Sequence, residues 1–412
     1  MDVFENIEKR IKKVSKFMEL SEEEKDYLLK PKFIHQSKLK INNKEFLAWR
    51  IIHNNSLGPG KGGIRFHENV SKDEIMSLSF WMSLKNSLVG LPYGGAKGGI
   101  KVNTQNFSKK ELEELSREYI KAFHKFLGKN KDIPAPDVNT NSQIMSWMLD
   151  EFEKIKGHHE PAMITGKPLD MGGCFIREEA TAAGGKIILE QFLNKINKKP
   201  EEIKIAVQGF GNVGMNIAKL LHINNYNVVA VSDVRGGIFF REGLDIKKVI
   251  NHSNKTGSVI NFENSKNISN DELLSLDIDV LIPAAIENQI TEKNVKDIKA
   301  KYILELANGP ITFNAEETLL KNGVIVIPDI LANSGGVIAS YCEWSNNRSG
   351  QIYFKEEMEK VLRNKIINAF HRVYEFYQEK KNENSEFDMR TAAYIIAIKR
   401  ILNVTKIRGG FS

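Results

Sequence analysis

Residues 203–233 read IKIAVQGFGNVGMNIAKLLHINNYNVVAVSD, and no other run constrains the fold of this chain as strongly. An apolar strand enters Gly209-Phe210-Gly211-Asn212-Val213-Gly214, this loop opens a helix, and a second strand ends at Asp233. Glycines at this spacing between a strand and a helix, with an acid about 20 residues on, are the fingerprint of a dinucleotide-binding unit. Gly209 permits the tight turn, Gly211 lets the backbone approach a pyrophosphate, and Gly214 lets helix and strand pack closely. The free N–H groups of the helix N-terminus favour phosphate. A turn without a ligand would need neither the flanking elements nor the acid. Asp233 can accept from ribose hydroxyls and should repel a 2′-phosphate, so NAD is expected over NADP. Arg235 could pair with that phosphate but reads as a solvated turn residue.

Beyond residue 175 short apolar strands alternate with helical segments. The strands expected are Ile203–Val207, Val228–Val231, Val280–Ile282, Tyr302–Leu306 and Val324–Ile327. Such alternation predicts a mostly parallel sheet covered by helices on both faces. Ligands of these sheets sit at the carboxyl ends of the strands. Asn308, in Ala307-Asn308-Gly309-Pro310, lies at one such end and suits a carboxamide or a substrate, although Asn-Gly-Pro is also a good turn.

The first 175 residues have a different texture. Ile7, Ile11, Val14 and Met18 form one stripe of a helical start. Residues 46–52, FLAWRII, suit a strand. Ser71 with Glu74, and Ser108 with Glu111, read as capping boxes opening helices that close at Gly90 and Gly128. IPAPDVNTN is too rich in proline for a helix, and QIMSWMLDEFEKI follows as one. Three lysines stand out: Lys61 in GPGKGGIRFH, Lys85 three residues after Met82 on a helix face, and Lys97 in LPYGGAKGGI. Glycine costs conformational entropy. The glycines around Lys97 therefore suggest close backbone approach to a small molecule, with a flexible exposed loop as the competing reading.

Composition excludes several classes of function. With 59 Lys+Arg against 52 Asp+Glu the net charge is +7, and no basic cluster with interleaved aromatics marks a nucleic-acid surface. The 2 cysteines, Cys174 and Cys342, fit free thiols in a reducing, cytoplasmic compartment. There is no CxxC or HExxH, so no metal is expected. No apolar run approaches the length of a membrane span, and the N-terminus lacks an apolar signal core.

GPGKGGIRFH, LPYGGAKGGI, PAPDVNTN, ITGKP, QGFGNVG, VSDVRGGI, PAAIENQIT, ANGP and ANSGGVIASYCEW occur in this order along nearly the whole chain. Together they resemble the hexameric glutamate dehydrogenases of the Glu/Leu/Phe/Val dehydrogenase superfamily. The resemblance implies an α/β fold of two domains. Residues 1–175 would form a substrate-binding and oligomerisation domain, and 176–345 a Rossmann-like NAD(P)-binding domain. Residues 346–412 would be C-terminal helices returning to the first domain, with a water-excluding cleft between the two.

The resemblance also implies an activity and its residues. The implied reaction would be reversible oxidative deamination of L-glutamate to 2-oxoglutarate and ammonia by a homohexamer using NAD or NADP; Asp233 makes NAD the expected preference, and the cysteine content and N-terminus make the expected location cytoplasmic. No metal, nucleic acid or membrane takes part. Lys97 resembles the catalytic lysine that activates water, with Lys61 and Lys85 as the cations that depress it. Asp137 resembles the acid that shuttles protons at the substrate nitrogen. Lys85, beside Met82, would hold the α-carboxylate, and Lys61 with Ser340 the γ-carboxylate. Thr181, Gly209, Gly211, Asn212, Val213, Gly214, Asp233 and Asn308 would hold the coenzyme. The sequence departs from the family pattern at Asn103-Thr104, where Asp-Pro is usual, at Cys174, where serine is common, and in SNNRSGQIYF. A branched-chain or aromatic amino-acid dehydrogenase would share Lys85, Lys97 and Asp137 but carry apolar residues at positions 61 and 340. An NAD sensor would not need the Lys97–Asp137 pair.

Overall fold

The computed structural model describes residues 3–351 and 353–411, which form two compact units. The first takes the chain up to Arg177 together with Val337–Val361 and the residues from Tyr394 onward; the second takes Glu178–Gly336 and Leu362–Ala393.

The first unit begins with helices α1 (Val3–Met18) and α2 (Glu22–Leu29), broken at Glu19, which has a φ of 52°. Ile7, Ile11 and Val14 of the expected stripe are buried, and Met18 is half-buried. Next come β1 (Phe33–Ile41), β2 (Lys44–Asn54), β3 (Gly60–His67), α3 (Lys72–Leu88), β4 (Gly95–Lys101), α4 (Lys109–Phe123), β5 (Asp132–Pro136) and α5 (Ser142–Lys156). The strands form one sheet in the order β1-β2-β4-β3-β5. The pairs β1–β2 and β2–β4 are antiparallel, and β3 is parallel to both β4 and β5. Leu39, Ile64, Phe66 and Ile100 of the sheet pack with Tyr119, Phe123, Met145, Met148 and Phe152 of α4 and α5. On the other face α3 lies against β2 and β4.

Both capping serines act as expected, but only Ser108–Glu111 is reciprocal. Ser71 accepts from the Glu74 N–H, while the Glu74 carboxylate turns away to Arg65. Helix α4 ends at Phe123, short of Gly128, whose N–H instead bonds the Asp132 carbonyl at the start of β5.

The glycine-rich and proline-rich stretches GPGKGGIRFH, LPYGGAKGGI and IPAP are strands β3, β4 and β5, all largely buried. Their glycines are small because protein, not a ligand, lies against them. A Cβ on Gly62 would sit 1.6 Å from the Ala96 carbonyl oxygen, and one on Gly95 would sit 2.2 Å from Ser83 Oγ. One on Gly98 would meet the Tyr119 hydroxyl at 2.3 Å. The expectation that glycines around Lys97 admit a small molecule is corrected by these neighbours: they let α3, β2 and β4 approach closely.

The second unit contains α6 (Ala180–Lys195), β6 (Lys204–Gln208), α7 (Asn212–Ile223), β7 (Asn227–Asp233), β8 (Gly236–Phe239), α8 (Ile246–Thr256), β9 (Lys266–Ile268) and α9 (Asn270–Leu274). It continues with β10 (Val280–Pro283), β11 (Tyr302–Leu304), α10 (Phe313–Lys321), β12 (Ile325–Ile327) and α11 (Asp329–Ala332). The sheet order is β12-β11-β10-β6-β7-β8-β9. The five strands expected from sequence are its parallel part. The antiparallel β8 and β9 were not expected; β8 follows β7 through a two-residue turn, Val234-Arg235. The order reverses between β6 and β10, the place where such sheets bind ligands.

The remaining helices α12 (Gly335–Ser349), α13 (Lys355–Glu383) and α14 (Met389–Ile407) contribute to both units. Residues 362–393, grouped from sequence with the first domain, pack in the second unit, where Tyr374 meets Phe192 and Arg390 meets three carboxylates.

Candidate active site

In the first unit the candidate substrate residues come from β3, β4, the loop after β5, α3 and α12. Lys61, Lys85 and Lys97 are 1%, 7% and 4% exposed, which excludes the reading of solvated lysines. Asp137 follows β5, which is parallel to β3. Its Oδ1 accepts from Lys97 Nζ at 2.9 Å and its Oδ2 from Arg65 Nε at 2.8 Å. The Asp137 N–H donates to Thr140 Oγ1, which fixes the turn.

Burial pushes the Asp137 carboxyl up, but the facing Lys97 and Arg65 outweigh it and hold it well below the usual carboxylate range. Burial lowers Lys97; Asp137 opposes this and Arg65 reinforces it. Arg65 is thus the cation that helps to depress Lys97. Lys61 and Lys85 were expected in that role, but the Arg65 side chain reaches the same carboxylate as Lys97. The chain sequence gave no reason to single out Arg65.

Lys61 Nζ lies 3.3 Å from the carbonyl oxygens of Ile133 and Pro134. Burial holds it well below its ordinary value, and the Arg177 and Arg50 guanidinium groups add to the effect. Such a buried cation is poised to gain from an anionic partner. Arg177 also donates to Ser340 Oγ at 2.7 Å. Arg177 thus touches Ser340 and bears on Lys61 through its charge, and the three make up the candidate cationic, hydrogen-bonding locus. Arg177 was missed from sequence because FIREE reads as an exposed polar turn. Helix α12, which carries Ser340, is fixed by Glu343, whose carboxylate accepts from Gly166 N–H at 2.8 Å and Lys167 Nζ at 2.6 Å. Met82 lies beside Gly62, its Cγ 3.3 Å from where a Cβ there would be. Lys85 is buried one turn further along α3.

The candidate coenzyme residues lie in the second unit. Gly209 has a φ of 96°, and a Cβ there would press on Ala285 at 2.8 Å. A Cβ on Gly214 would sit 1.8 Å from the Gly209 carbonyl oxygen. Both glycines are dictated by packing of strand, turn and helix. Gly211, the N-cap of α7, would meet nothing within 4 Å. The backbone is therefore open where a pyrophosphate would approach, and the residues present fit the group. Val213 lies in the first turn of α7. Asn212 donates to the Glu178 carbonyl and accepts from Asn216, and Thr181 lies in the first turn of α6. Asn308 Oδ1 accepts from Asn333 Nδ2 at 3.0 Å. Asp233 stands at the end of β7 as expected, but its carboxylate is already engaged: Oδ2 accepts from Ser258 Oγ and Val259 N–H, both at 2.7 Å, and Oδ1 from Arg235 N–H at 2.7 Å. Among the described residues no group of acids, histidines and cysteines could hold a metal ion, and no helix is long and apolar enough to cross a membrane.

A family model described as Glutamate/Leucine/Phenylalanine/Valine dehydrogenase matches residues 172–409, and one described as the dimerisation domain of that family matches 33–154. The NADP-specific glutamate dehydrogenase of Saccharolobus shibatae is 44% identical over 97% of this chain and 95% of its own. The NAD-specific glutamate dehydrogenase of Staphylococcus aureus is 46% identical over 89% of this chain and 87% of its own. Among solved structures, the hetero-hexameric glutamate dehydrogenase of Thermus thermophilus, in a leucine-bound form, superposes with a TM-score of 0.93 at 28% identity, covering 100% of this chain and 98% of its own. The glutamate dehydrogenase of Peptoniphilus asaccharolyticus gives 0.85 at 35% identity, covering 99% and 100%.

Proposed function

This chain belongs to the glutamate/leucine/phenylalanine/valine dehydrogenase family, and from that premise we propose that it catalyses the reversible NAD(P)-dependent oxidative deamination of L-glutamate to 2-oxoglutarate and ammonia. The observation that carries the choice of glutamate is the locus of Lys61, Arg177 and Ser340. A side-chain carboxylate entering it would recover its desolvation cost from a buried cation and hydrogen-bond donors, whereas a leucine side chain would leave Lys61 with only the Ile133 and Pro134 carbonyl oxygens and no counter-charge in contact.

The bound nicotinamide supplies a hydride acceptor for the substrate Cα. The protein moves the protons. Asp137, ionised at neutral pH, accepts a proton from the substrate ammonium, so that the nitrogen lone pair can assist loss of hydride from Cα. Lys97, depressed by burial and by Arg65, takes a proton from the water that attacks the resulting iminium carbon. Asp137 then returns a proton to nitrogen; as the C–N bond breaks and ammonia leaves, the carbinol hydroxyl becomes the carbonyl and gives its proton to the re-ionised Asp137. In the reverse direction the same two groups exchange acid and base roles. Lys85, with Met82 beside it, holds the α-carboxylate. Gly209, Gly211, Asn212, Val213 and Gly214 receive the pyrophosphate, Thr181 and Asn308 orient the nicotinamide, and Asp233 faces the adenine ribose.

The negative charge of Asp233 supports NAD as the better coenzyme. Relatives of both specificities are about equally similar to this chain, so comparative kcat/KM values for NAD and NADP test this point. A homohexamer is the proposed assembly: the match to the dimerisation domain supports self-association, and the hetero-hexameric Thermus thermophilus neighbour supports the count of six but not identical subunits; light scattering of the purified chain tests it. The buried free thiols Cys174 and Cys342 support a cytoplasmic location, which fractionation tests. The activity itself is tested with the purified protein on a panel of amino acids, following absorbance of the reduced nicotinamide. Turnover of glutamate alone supports the reading; turnover of leucine, valine or phenylalanine in its place overturns it.

A further inference from the structure

Four charged side chains of the second unit meet where no sequence motif announces them. Arg390, in the first turn of α14, donates Nε to Glu316 at 2.6 Å, Nη1 to Asp329 Oδ1 at 2.8 Å and Nη2 to Glu305 at 2.6 Å. All four residues are buried, from 0% to 5% exposed. One guanidinium thus faces three carboxylates. A buried ion cluster is weak grounds for stability, because desolvation opposes the Coulombic gain. Its geometry says more.

Glu305 begins the segment after β11 that leads to Asn308. The Glu305 carboxylate oxygen that accepts from Arg390 also accepts from the Asp329 N–H at 2.8 Å. The other Asp329 oxygen, Oδ2, accepts from the Gly309 N–H at 2.9 Å. Gly309 has a φ of 53°, so the backbone turns sharply just after Asn308. Asn333, one turn beyond Asp329, holds the other side of the segment through the carbonyl oxygens of Leu306 and Ala307, both at 3.3 Å, and through Asn308 Oδ1. Residues 305–309 are thus held by side chains on two sides, one of which leads back to Arg390 through Glu305 and Asp329, and by backbone hydrogen bonds from Leu306 and Ala307 to the Pro283 carbonyl and from Asn288 to the Gly309 carbonyl.

We propose that Arg390 is a positioning residue for the coenzyme: through Asp329 and Glu305 it fixes the turn Ala307-Asn308-Gly309 at the end of β11, and so the orientation of the nicotinamide ring. The proposal rests on the reading that Asn308 faces the nicotinamide. Arg390 touches neither substrate nor coenzyme and acts only through the carboxylates. A lysine cannot replace it, because one ammonium does not match three acceptors set around a planar fork.

The test compares two ligands that differ only in the nicotinamide. Dissociation constants are measured for the reduced coenzyme that the wild type turns over and for ADP-ribose, or its 2′-phosphate if that coenzyme is NADPH. Arg390→Lys should weaken the reduced coenzyme about tenfold, leave the ADP-ribose analogue within about twofold, and leave KM for the amino acid unchanged. Asp329→Asn is read in the same way and covers the case in which Arg390→Lys does not fold. Asn308→Ala reports on the underlying reading and should weaken the reduced coenzyme selectively. If Asn308→Ala is selective and the other two are not, the positioning role of Arg390 is overturned. If both ligands weaken equally in Arg390→Lys, the cluster only holds the unit together and the proposal fails. If Asn308→Ala is not selective either, the assignment of Asn308 fails and takes the proposal with it.

Discussion

The Nζ of Lys97 lies 2.9 Å from Oδ1 of Asp137, although 40 positions separate them in the chain. The contact forms because β4 and β5 flank β3 in parallel and Asp137 follows β5 directly. The pair is the proposed proton-transfer unit, and its electrostatics give signed expectations.

Asp137→Asn should lower kcat by several orders of magnitude, because an amide cannot take the proton. Asp137 opposes the depression of Lys97. Without it Lys97 should lose its proton more readily, and the rising limb of the residual pH–rate profile should move to lower pH. Arg65→Gln should do the opposite, since Arg65 depresses both Lys97 and Asp137. The pH dependence of kcat from pH 6 to about 10, spanning the range below the ordinary lysine value, checks both signs.

Lys61→Leu with Ser340→Val should cost most of the activity on glutamate. Discrimination through unpaired buried polar groups reaches about 10⁴-fold. Some activity on leucine, norleucine or methionine should appear, but less than in a natural leucine enzyme. Arg177, which donates to Ser340 in the wild type, remains as a cation beside the new apolar surface. Steady-state kcat/KM for glutamate and leucine in both proteins measures the change. A double mutant that still prefers glutamate would misplace the side-chain pocket.

Glu305 predicts a stability signature. Burial pushes its carboxyl up to about 7; Arg390 opposes this and Asp329 and Glu316 add to it. The folded state then holds a proton that the unfolded state, near the ordinary value of 4.5, has released. The stabilisation is fully present below that ordinary value and is lost as pH rises towards about 7. Denaturant unfolding from pH 5 to pH 8 should show this loss in the wild type and a flatter profile in Glu305→Gln. Identical profiles would mean that Glu305 is ionised throughout.

Asp233→Ser should narrow the gap between NAD and NADP by removing charge repulsion. It should also weaken both coenzymes, because Asp233 anchors Ser258 and Val259. Ser258→Ala separates the two effects: it loosens the anchor and keeps the charge. Coenzyme kcat/KM values for the three proteins are the readout. A wild type that clearly prefers NADP contradicts the role given to Asp233.

Much of the second unit was legible in sequence because β6, its glycine loop and α7 carry local signals. The parallel strands show as short apolar runs, and Gly209, Gly214 and Asp233 occupy the positions their spacing implies. The hairpin strand β8 was not legible, since GGIFF after Val234-Arg235 lacks a clean alternation. The first unit hid more. β3, β4 and β5 are built from glycine and proline, residues that ordinarily mark turns or strand edges. Only the tertiary neighbours of Gly62, Gly95 and Gly98 reveal why strands need them. Lys61, Lys97 and Asp137 drew notice through their surroundings and motifs. Arg65, Arg177 and Arg390 did not, because a buried arginine looks like a solvated one until its carboxylate or hydroxyl partner, distant in sequence, is in place.

Turnover of L-glutamate by the wild type beside Lys97→Ala, with binding of the reduced coenzyme measured in both, tests the central claim most directly. The account predicts glutamate-dependent reduction of the nicotinamide by the wild type, a loss of several orders of magnitude in kcat for Lys97→Ala, and coenzyme binding unchanged within about twofold, since Lys97 lies in the first unit and the candidate coenzyme residues in the second. Near-normal turnover by Lys97→Ala would contradict it.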